Sequence, residues 1–108
     1  MTGYEKSTII EELLNDKKAI DVQVIDLAGL SIIADCFVVA TGMNKKHIET
    51  LADYCEERLE EEGIRKLRRE QSPDWCLIDF GDLIVHIFDQ EARQRYSLED
   101  LWSGSIRK

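Results

Sequence analysis

The sequence contains no apolar run that approaches the ~18–20 residues needed to span a bilayer. It has one proline, six glycines and no low-complexity segment, so no stretch is typical of a flexible linker. The first residues show neither the apolar segment of a secretory signal nor the arginine-rich pattern of a transit peptide. We therefore expect a cytoplasmic protein whose 108 residues form one domain, residues 1–108.

Positive charge is also scarce, because 14 lysine and arginine residues stand against 22 acidic residues and leave a formal net charge of −8. The basic cluster at residues 65–69 follows an acidic stretch at 56–62, and we expect the two to neutralise each other in solvent. Proteins that bind nucleic acid usually carry a basic face. Direct nucleic-acid binding is therefore disfavoured, whereas a basic protein is a suitable partner.

Cysteine is limited to Cys36, Cys55 and Cys76, and no C-x-x-C pair occurs. The spacing excludes a zinc ribbon and a thioredoxin-type site. The neighbours of each cysteine predict burial, so we expect three reduced thiols that act as small apolar core residues.

Signals for catalysis are absent or weak. Of the two histidines, His47 is expected to be exposed in the first turn of a helix, and His86 can face a carboxylate such as Asp79 across a hairpin. Cys76 is predicted on the opposite face from His86, which argues against a nucleophilic pair. The tripeptide Asp79-Phe80-Gly81 matches a kinase metal site, but the chain is far too short and lacks the other kinase motifs. The sequence therefore predicts no catalytic residue, no metal ion and no cofactor.

Periodicity and turn residues predict an α/β domain with a mixed sheet and flanking helices. The predicted helices cover residues 4–18 and 45–62, the latter with Asn44 as N-cap and Gly63 just past its end. The predicted strands cover residues 21–27, 36–41, 66–70, 75–80 and 83–88, with 36–41 central and 66–70 at an edge. A capping box at 97–100 predicts a last short helix that carries Leu98, Leu101 and Trp102.

The two-residue turn Gly81-Asp82 predicts a tight hairpin and therefore which side chains share a face. The first face is expected to be core and consists of Cys76, Ile78, Phe80, Leu83, Val85 and Ile87. The second face consists of Trp75, Leu77, Asp79, Ile84, His86 and Phe88. Two interpretations of the second face stay open. It is either half covered by a helix, with Asp79 and His86 at the margin, or an exposed recognition surface.

Four segments resemble the ribosomal silencing factor (Iojap-like) family, in the right order and through nearly the whole chain. They are residues 16–19 (Asp-Lys-Lys-Ala), 34–42 (Ala-Asp-Cys-Phe-Val-Val-Ala-Thr-Gly), 75–82 followed by 85–88 (Val-His-Ile-Phe), and 96–102 (Tyr-Ser-Leu-Glu-Asp-Leu-Trp). Cys36 and Phe80 depart from the pattern, since tyrosine is common at both places, and Phe80 lacks the hydroxyl.

The resemblance implies a nucleotidyltransferase-like fold without the catalytic carboxylates, and no Gly-Ser followed by an Asp-x-Asp pair is present. It further implies a non-enzymatic translational repressor that is a homodimer in solution. Such a repressor would bind the large ribosomal subunit through its fourteenth protein and block joining of the small subunit. The alternative is an enzyme, a degenerate or active nucleotidyltransferase.

The partner is expected to bind the second face. Trp75, Leu77 and Asp79 form the centre of the predicted site, His86 and Phe88 lie beside them, and Asp82 lies at the turn. Trp75 would supply apolar contact area, while Asp79 and Asp82 would meet basic side chains of the ribosomal protein.

Overall fold

The computed structural model describes residues 1–98 and the backbone of residues 106–107, in which helices separate groups of strands. The helices are α1 (Gly3–Asp16), α2 (Lys45–Glu61) and α3 (Gln90–Tyr96). The strands are β1 (Ile20–Asp26), β2 (Cys36–Thr41), β3 (Arg68–Ser72), β4 (Trp75–Asp79), β5 (Leu83–Phe88) and β6 (Ile106–Arg107). The predicted α/β class is confirmed.

The strands form one mixed sheet in the order β3-β4-β5-β2-β1-β6. Strand β2 runs parallel to β5, whereas the other neighbouring pairs are antiparallel. The apolar strand β2 is central, as its composition predicts, because both of its faces are covered. The charged strand β3 lies at an edge, where its side chains discourage pairing with another chain.

Side chains near the helix ends set where the helices start and stop. Thr2 and Glu5 form a capping box at α1, a start signal that our sequence prediction missed. At α2, Asn44 Oδ1 accepts the N–H of His47 at 2.8 Å, which confirms the predicted N-cap. Gly63 has a positive φ of 78° after the helix end, and this left-handed backbone favours glycine.

Helices α1 and α2 pack on the first face of the hairpin and bury the larger of two apolar clusters. This cluster includes all six residues of the first face, so their prediction as core is confirmed. Cys36, Cys55 and Cys76 are free thiols within it, each fully buried. Burial raises the pKa of the Cys55 and Cys76 thiols, which keeps them protonated and unreactive.

The hairpin register agrees with the prediction from its two-residue turn. Trp75 lies opposite Phe88, Leu77 opposite His86, and Asp79 opposite Ile84. The N–H of Phe80 donates to the carbonyl of Leu83 at 2.9 Å and closes the turn. Because side chains alternate along each strand, this register places the six residues of the second face together.

The end of the chain differs from the prediction. Helix α3 was missed, although Asp89 is an ordinary N-cap whose carboxylate accepts the N–H of Ala92 at 2.8 Å. Ser97, the first residue of the predicted capping box, is the C-cap of α3 with left-handed backbone. The rest of that predicted box and the helix residues Leu101 and Trp102 lie outside the described residues. The nucleotidyltransferase likeness of the fold stays a prediction.

Candidate protein-docking surface

The second face of the hairpin continues onto the neighbouring strands in three rows. The parallel pairing of β2 with β5 places Phe37 beside Ile84 and Val39 beside His86. On the other side, the antiparallel pairing of β3 with β4 places Arg68 beside Asp79. The second face is therefore the middle of a surface that is apolar toward β2 and charged toward β3.

An aromatic cluster occupies the centre of this surface. The Trp75 ring stacks near the rings of His86 and Phe88, with centroids 5.9 and 5.4 Å away, and contacts the Tyr96 ring at 5.0 Å. Phe37 meets His86 edge to face at 4.7 Å. Trp75 remains half-buried and Tyr96 exposed. The cluster therefore packs against part of the indole and leaves the rest accessible to a partner.

His86 is buried in this cluster rather than at its margin. Its Nδ1 atom accepts the indole N–H of Trp75 at 3.3 Å, so the proton of the neutral ring lies on Nε2. Burial lowers the pKa of His86 to about 4, and the ring is neutral at pH 7. Nε2 has no hydrogen-bond partner among the residues that the structure describes. The partner of His86 is thus Trp75, not the carboxylate of Asp79 that the hairpin diagonal suggests.

Asp79 closes the hairpin turn from within. Its Oδ1 accepts the N–H of Gly81 at 2.8 Å, and its Oδ2 lies 3.6 Å from Nε of Arg68. The side chain is 21% exposed, enough for a carboxylate oxygen to meet a basic partner. Asp79 thus combines a local structural contact with a negative charge at the end of the second face.

Asp82 is directed toward the helices instead. Its Oδ1 lies 2.7 Å from Nζ of Lys6, and Lys6 belongs to α1, which packs on the first face. The Asp82 side chain keeps 34% of its surface exposed. Asp82 therefore lies at the edge of the sheet with its charge already paired, apart from the other five predicted residues.

The predicted site residues differ in what they offer to a partner. Trp75, Leu77 and Asp79 are half-buried and reachable from solvent, whereas His86 and Phe88 are 5% and 1% exposed. A helix and the residues near it cover the Phe88 end, because Ala92 and Leu98 pack into the same apolar cluster. The surface is therefore half covered and half open, and recognition of a partner by its open half stays a prediction.

Sequence reasoning missed two aromatic neighbours of the site. Phe37 joins it only through the parallel pairing of β2 with β5, and no local signal predicts such a pairing. Tyr96 joins it through α3, whose N-cap Asp89 was the available signal. His47 was expected to be exposed but is half-buried, since its ring contacts the N–H of Met43 and the carbonyl of Lys17 at 2.9 and 3.1 Å.

Chemical alternatives to docking have little support in the described part of the chain. No group of three histidine, cysteine or acidic side chains there could hold a metal ion. A pocket of about 390 Å³ lies at the Phe88 end of the sheet, beside Arg93 and beside Thr41, which pairs with Phe88. Arg93 there donates to Thr41 Oγ1 at 3.0 Å and lies 3.4 Å from Asp21. These contacts link α3 to β2 and β1, so the guanidinium has a structural role. None of the helices in residues 1–98 is long and apolar enough to cross a membrane.

Comparison with known proteins gives a consistent match. The family described as "Ribosomal silencing factor during starvation" matches residues 2–108. The ribosomal silencing factor of Halalkalibacterium halodurans is 34% identical over 107 residues, which cover 97% of this chain and 92% of that protein. The Bacillus subtilis (strain 168) factor is 34% identical over 93 residues, which cover 84% of this chain and 79% of that protein.

A solved structure agrees with these sequence matches. The crystal structure of a Chromobacterium violaceum protein superposes with a TM-score of 0.90 at 31% identity, covering 100% of this chain and 92% of that one. The family match extends through both hairpin strands and the three helices found within residues 1–98. The chain therefore belongs to the ribosomal silencing factor family, which gives it a regulatory role in translation at the ribosome.

Proposed function

We propose that this protein binds the large ribosomal subunit through that subunit's fourteenth protein and sterically blocks association with the small subunit. It acts by occupying part of the surface of the large subunit, without catalytic turnover. The observation that carries the proposal is the open half of the second face, where Trp75 and Leu77 offer apolar area next to the carboxylate of Asp79. Family membership supplies the ribosomal context.

The contact is divided between accessible and supporting residues. Trp75, Leu77 and Asp79 touch the partner. The buried rings of His86 and Phe88 stack against the indole and hold it in place. Rigid support matters, because an aromatic side chain that is already ordered loses little entropy on binding. Asp82 contributes from the edge, where its carboxylate pairs with Lys6 and is exposed enough to meet a basic group of the partner as well.

Charge supports a basic protein as the partner. The net charge of −8 repels the phosphates of ribosomal RNA and attracts a lysine- and arginine-rich protein surface. Such attraction speeds association and helps to exclude wrong partners. The acidity therefore fits a docking site on a ribosomal protein better than one on bare RNA.

Self-association is part of the same proposal. The open half of the second face carries the apolar Trp75 and Leu77 on a small domain, which favours a homodimer in the cytoplasm before the protein meets the ribosome. Light scattering that shows only monomer at micromolar concentrations would remove the dimer from the proposal and leave ribosome binding in place.

The deciding experiment mixes purified large and small subunits with saturating protein and separates them on a sucrose gradient. Free subunits should accumulate at the expense of whole ribosomes, and the protein should travel with the large subunit. Unchanged joining at saturation refutes the proposal. The enzyme alternative is tested by incubation with labelled nucleotides and Mg²⁺, which should give neither product nor saturable binding.

A further inference from the structure

The loop between β1 and β2, residues 27–35, exposes three large apolar side chains within four positions. Leu30 and Ile33 are 59% and 72% exposed, and Ile32 is fully exposed. Single exposed apolar residues are ordinary, but a group of them on a monomer typically marks a contact surface. None of these three side chains belongs to either apolar cluster, so packing in the core does not explain why these positions are apolar.

Backbone hydrogen bonds hold this β1–β2 loop in one shape. The N–H of Leu27 donates to the carbonyl of Asp35 at 2.8 Å, and the carbonyl of Leu27 accepts the N–H groups of Leu30 and Ser31 at 2.8 and 3.1 Å. The hydroxyl of Ser31 accepts the N–H of Ile33 at 3.0 Å. The apolar side chains are therefore displayed on a closed loop, which reduces the entropy lost when a partner orders them.

The loop adjoins the end of the second face. The N–H of Asp35 donates to the carbonyl of Asp82 at 2.9 Å, which ties the loop to the hairpin turn. The next positions pair Phe37 with Ile84 in the first row of the surface, next to Asp79. The loop therefore borders the Asp79 end of the second face, where one partner can contact both.

The charges around the loop select the kind of partner. Asp35 is exposed, Asp26 is half-buried, and Asp79 and Asp82 lie at the adjoining turn. RNA would be repelled by these carboxylates. A protein surface with an apolar centre could pack against the isoleucines, and lysine or arginine at its border could pair with the carboxylates.

We propose that the β1–β2 loop is a second contact element for the basic large-subunit protein, with Ile32 and Ile33 as its apolar contacts and Asp35 as its charged one. This inference rests on the proposed function, because it takes the same partner. It extends the docking surface past the hairpin and makes contact depend on two separate parts of the chain.

The test is co-sedimentation of purified large subunits with the full chain and its variants. The double variant Ile32→Ser/Ile33→Ser should bind about 30-fold more weakly, as expected for the loss of two apolar contacts. Its melting temperature should match the wild type, since both side chains are exposed. Met43→Ser is the matched control, because Met43 is 61% exposed beyond the other end of β2 and should leave binding unchanged.

A charge variant keeps the test decisive if the double variant folds poorly. Asp35→Lys changes an exposed side chain, retains the backbone bonds of the loop, and should also weaken binding. Wild-type binding with unchanged binding of these variants overturns the loop as a contact and leaves the proposed function standing. Failure of the wild type to bind overturns both. A variant that only shifts the dimer toward monomer, with subunit binding intact, also overturns the loop assignment.

Discussion

Replacing Trp75 by alanine separates a binding role of this side chain from a purely structural one. A tryptophan at the centre of an interface typically contributes about 2 kcal/mol or more, so the variant should bind the large subunit about 30-fold more weakly. The side chain is half-buried: it stacks on His86 and Phe88, and part of its surface remains exposed. Loss of binding with retention of the fold is therefore the expected result.

The expected cost in stability follows from the same contacts. Removal of a fully buried tryptophan costs about 3–5 kcal/mol, so a half-buried one costs about 2 kcal/mol. The Nδ1 atom of His86 loses its donor, which adds about 1 kcal/mol. The sum, about 3 kcal/mol, is smaller than the roughly 5–15 kcal/mol of a typical domain. The melting temperature should fall by roughly 12–24 °C while the native circular dichroism spectrum is retained in the cold.

The assay pairs large-subunit co-sedimentation in the cold with thermal melts of each variant. Asp79→Lys should also stay folded and lose binding, whereas Asp79→Asn keeps an oxygen for the N–H of Gly81 and should lose less. Tyr54→Ala is the control, since this exposed aromatic residue lies on α2, behind the first face. If Trp75→Ala and Asp79→Lys both melt out, or if both bind normally, the assignment of the second face is wrong.

Two further predictions concern buried groups. The pKa of His86 is about 4 in the folded protein, below the ordinary 6.5. Between these values the imidazole takes up a proton in the unfolded chain but not in the folded one. The free energy of unfolding should therefore fall from about pH 6.5 toward pH 4, by up to about 1.4 kcal/mol per pH unit. Urea unfolding at several pH values should show a shallower fall for His86→Phe, and an unchanged slope would contradict this origin. The three cysteines should resist a thiol reagent in the native protein and react on denaturation, because they are buried and the pKa values of Cys55 and Cys76 are raised. Rapid labelling of the cysteines in the native chain would refute this second prediction.

Local signals in the sequence determined the central part of the architecture. The apolar run of β2 requires cover on both faces, and the two residues Gly81-Asp82 leave one register for the hairpin. Asn44 and Gly63 satisfy backbone groups at the ends of α2 through contacts a few residues away. These features were predictable because each depends on neighbours along the chain.

The composition of the second face was equally predictable, since alternation along two paired strands decides which side chains share it. The fraction of that face that a partner can reach was not predictable from the sequence. The parallel pairing of β2 with β5 brings Phe37 onto His86, and α3 brings Tyr96 onto Trp75. These contacts join distant segments, and the periodicity of either segment alone is the same with or without them.

The same distinction separates the charged groups and the loop. Asp82 was expected to await a partner, but Lys6, 76 residues away in the chain, already pairs with it. The β1–β2 loop appeared only as a strand break, because the outward direction of Ile32 and Ile33 depends on how Leu27 and Asp35 close the loop. The sequence by itself determined which residues lie on each strand and face. The tertiary structure decided which of them are buried, which are paired and which remain open, because burial and long-range pairing arise only when separate elements pack together.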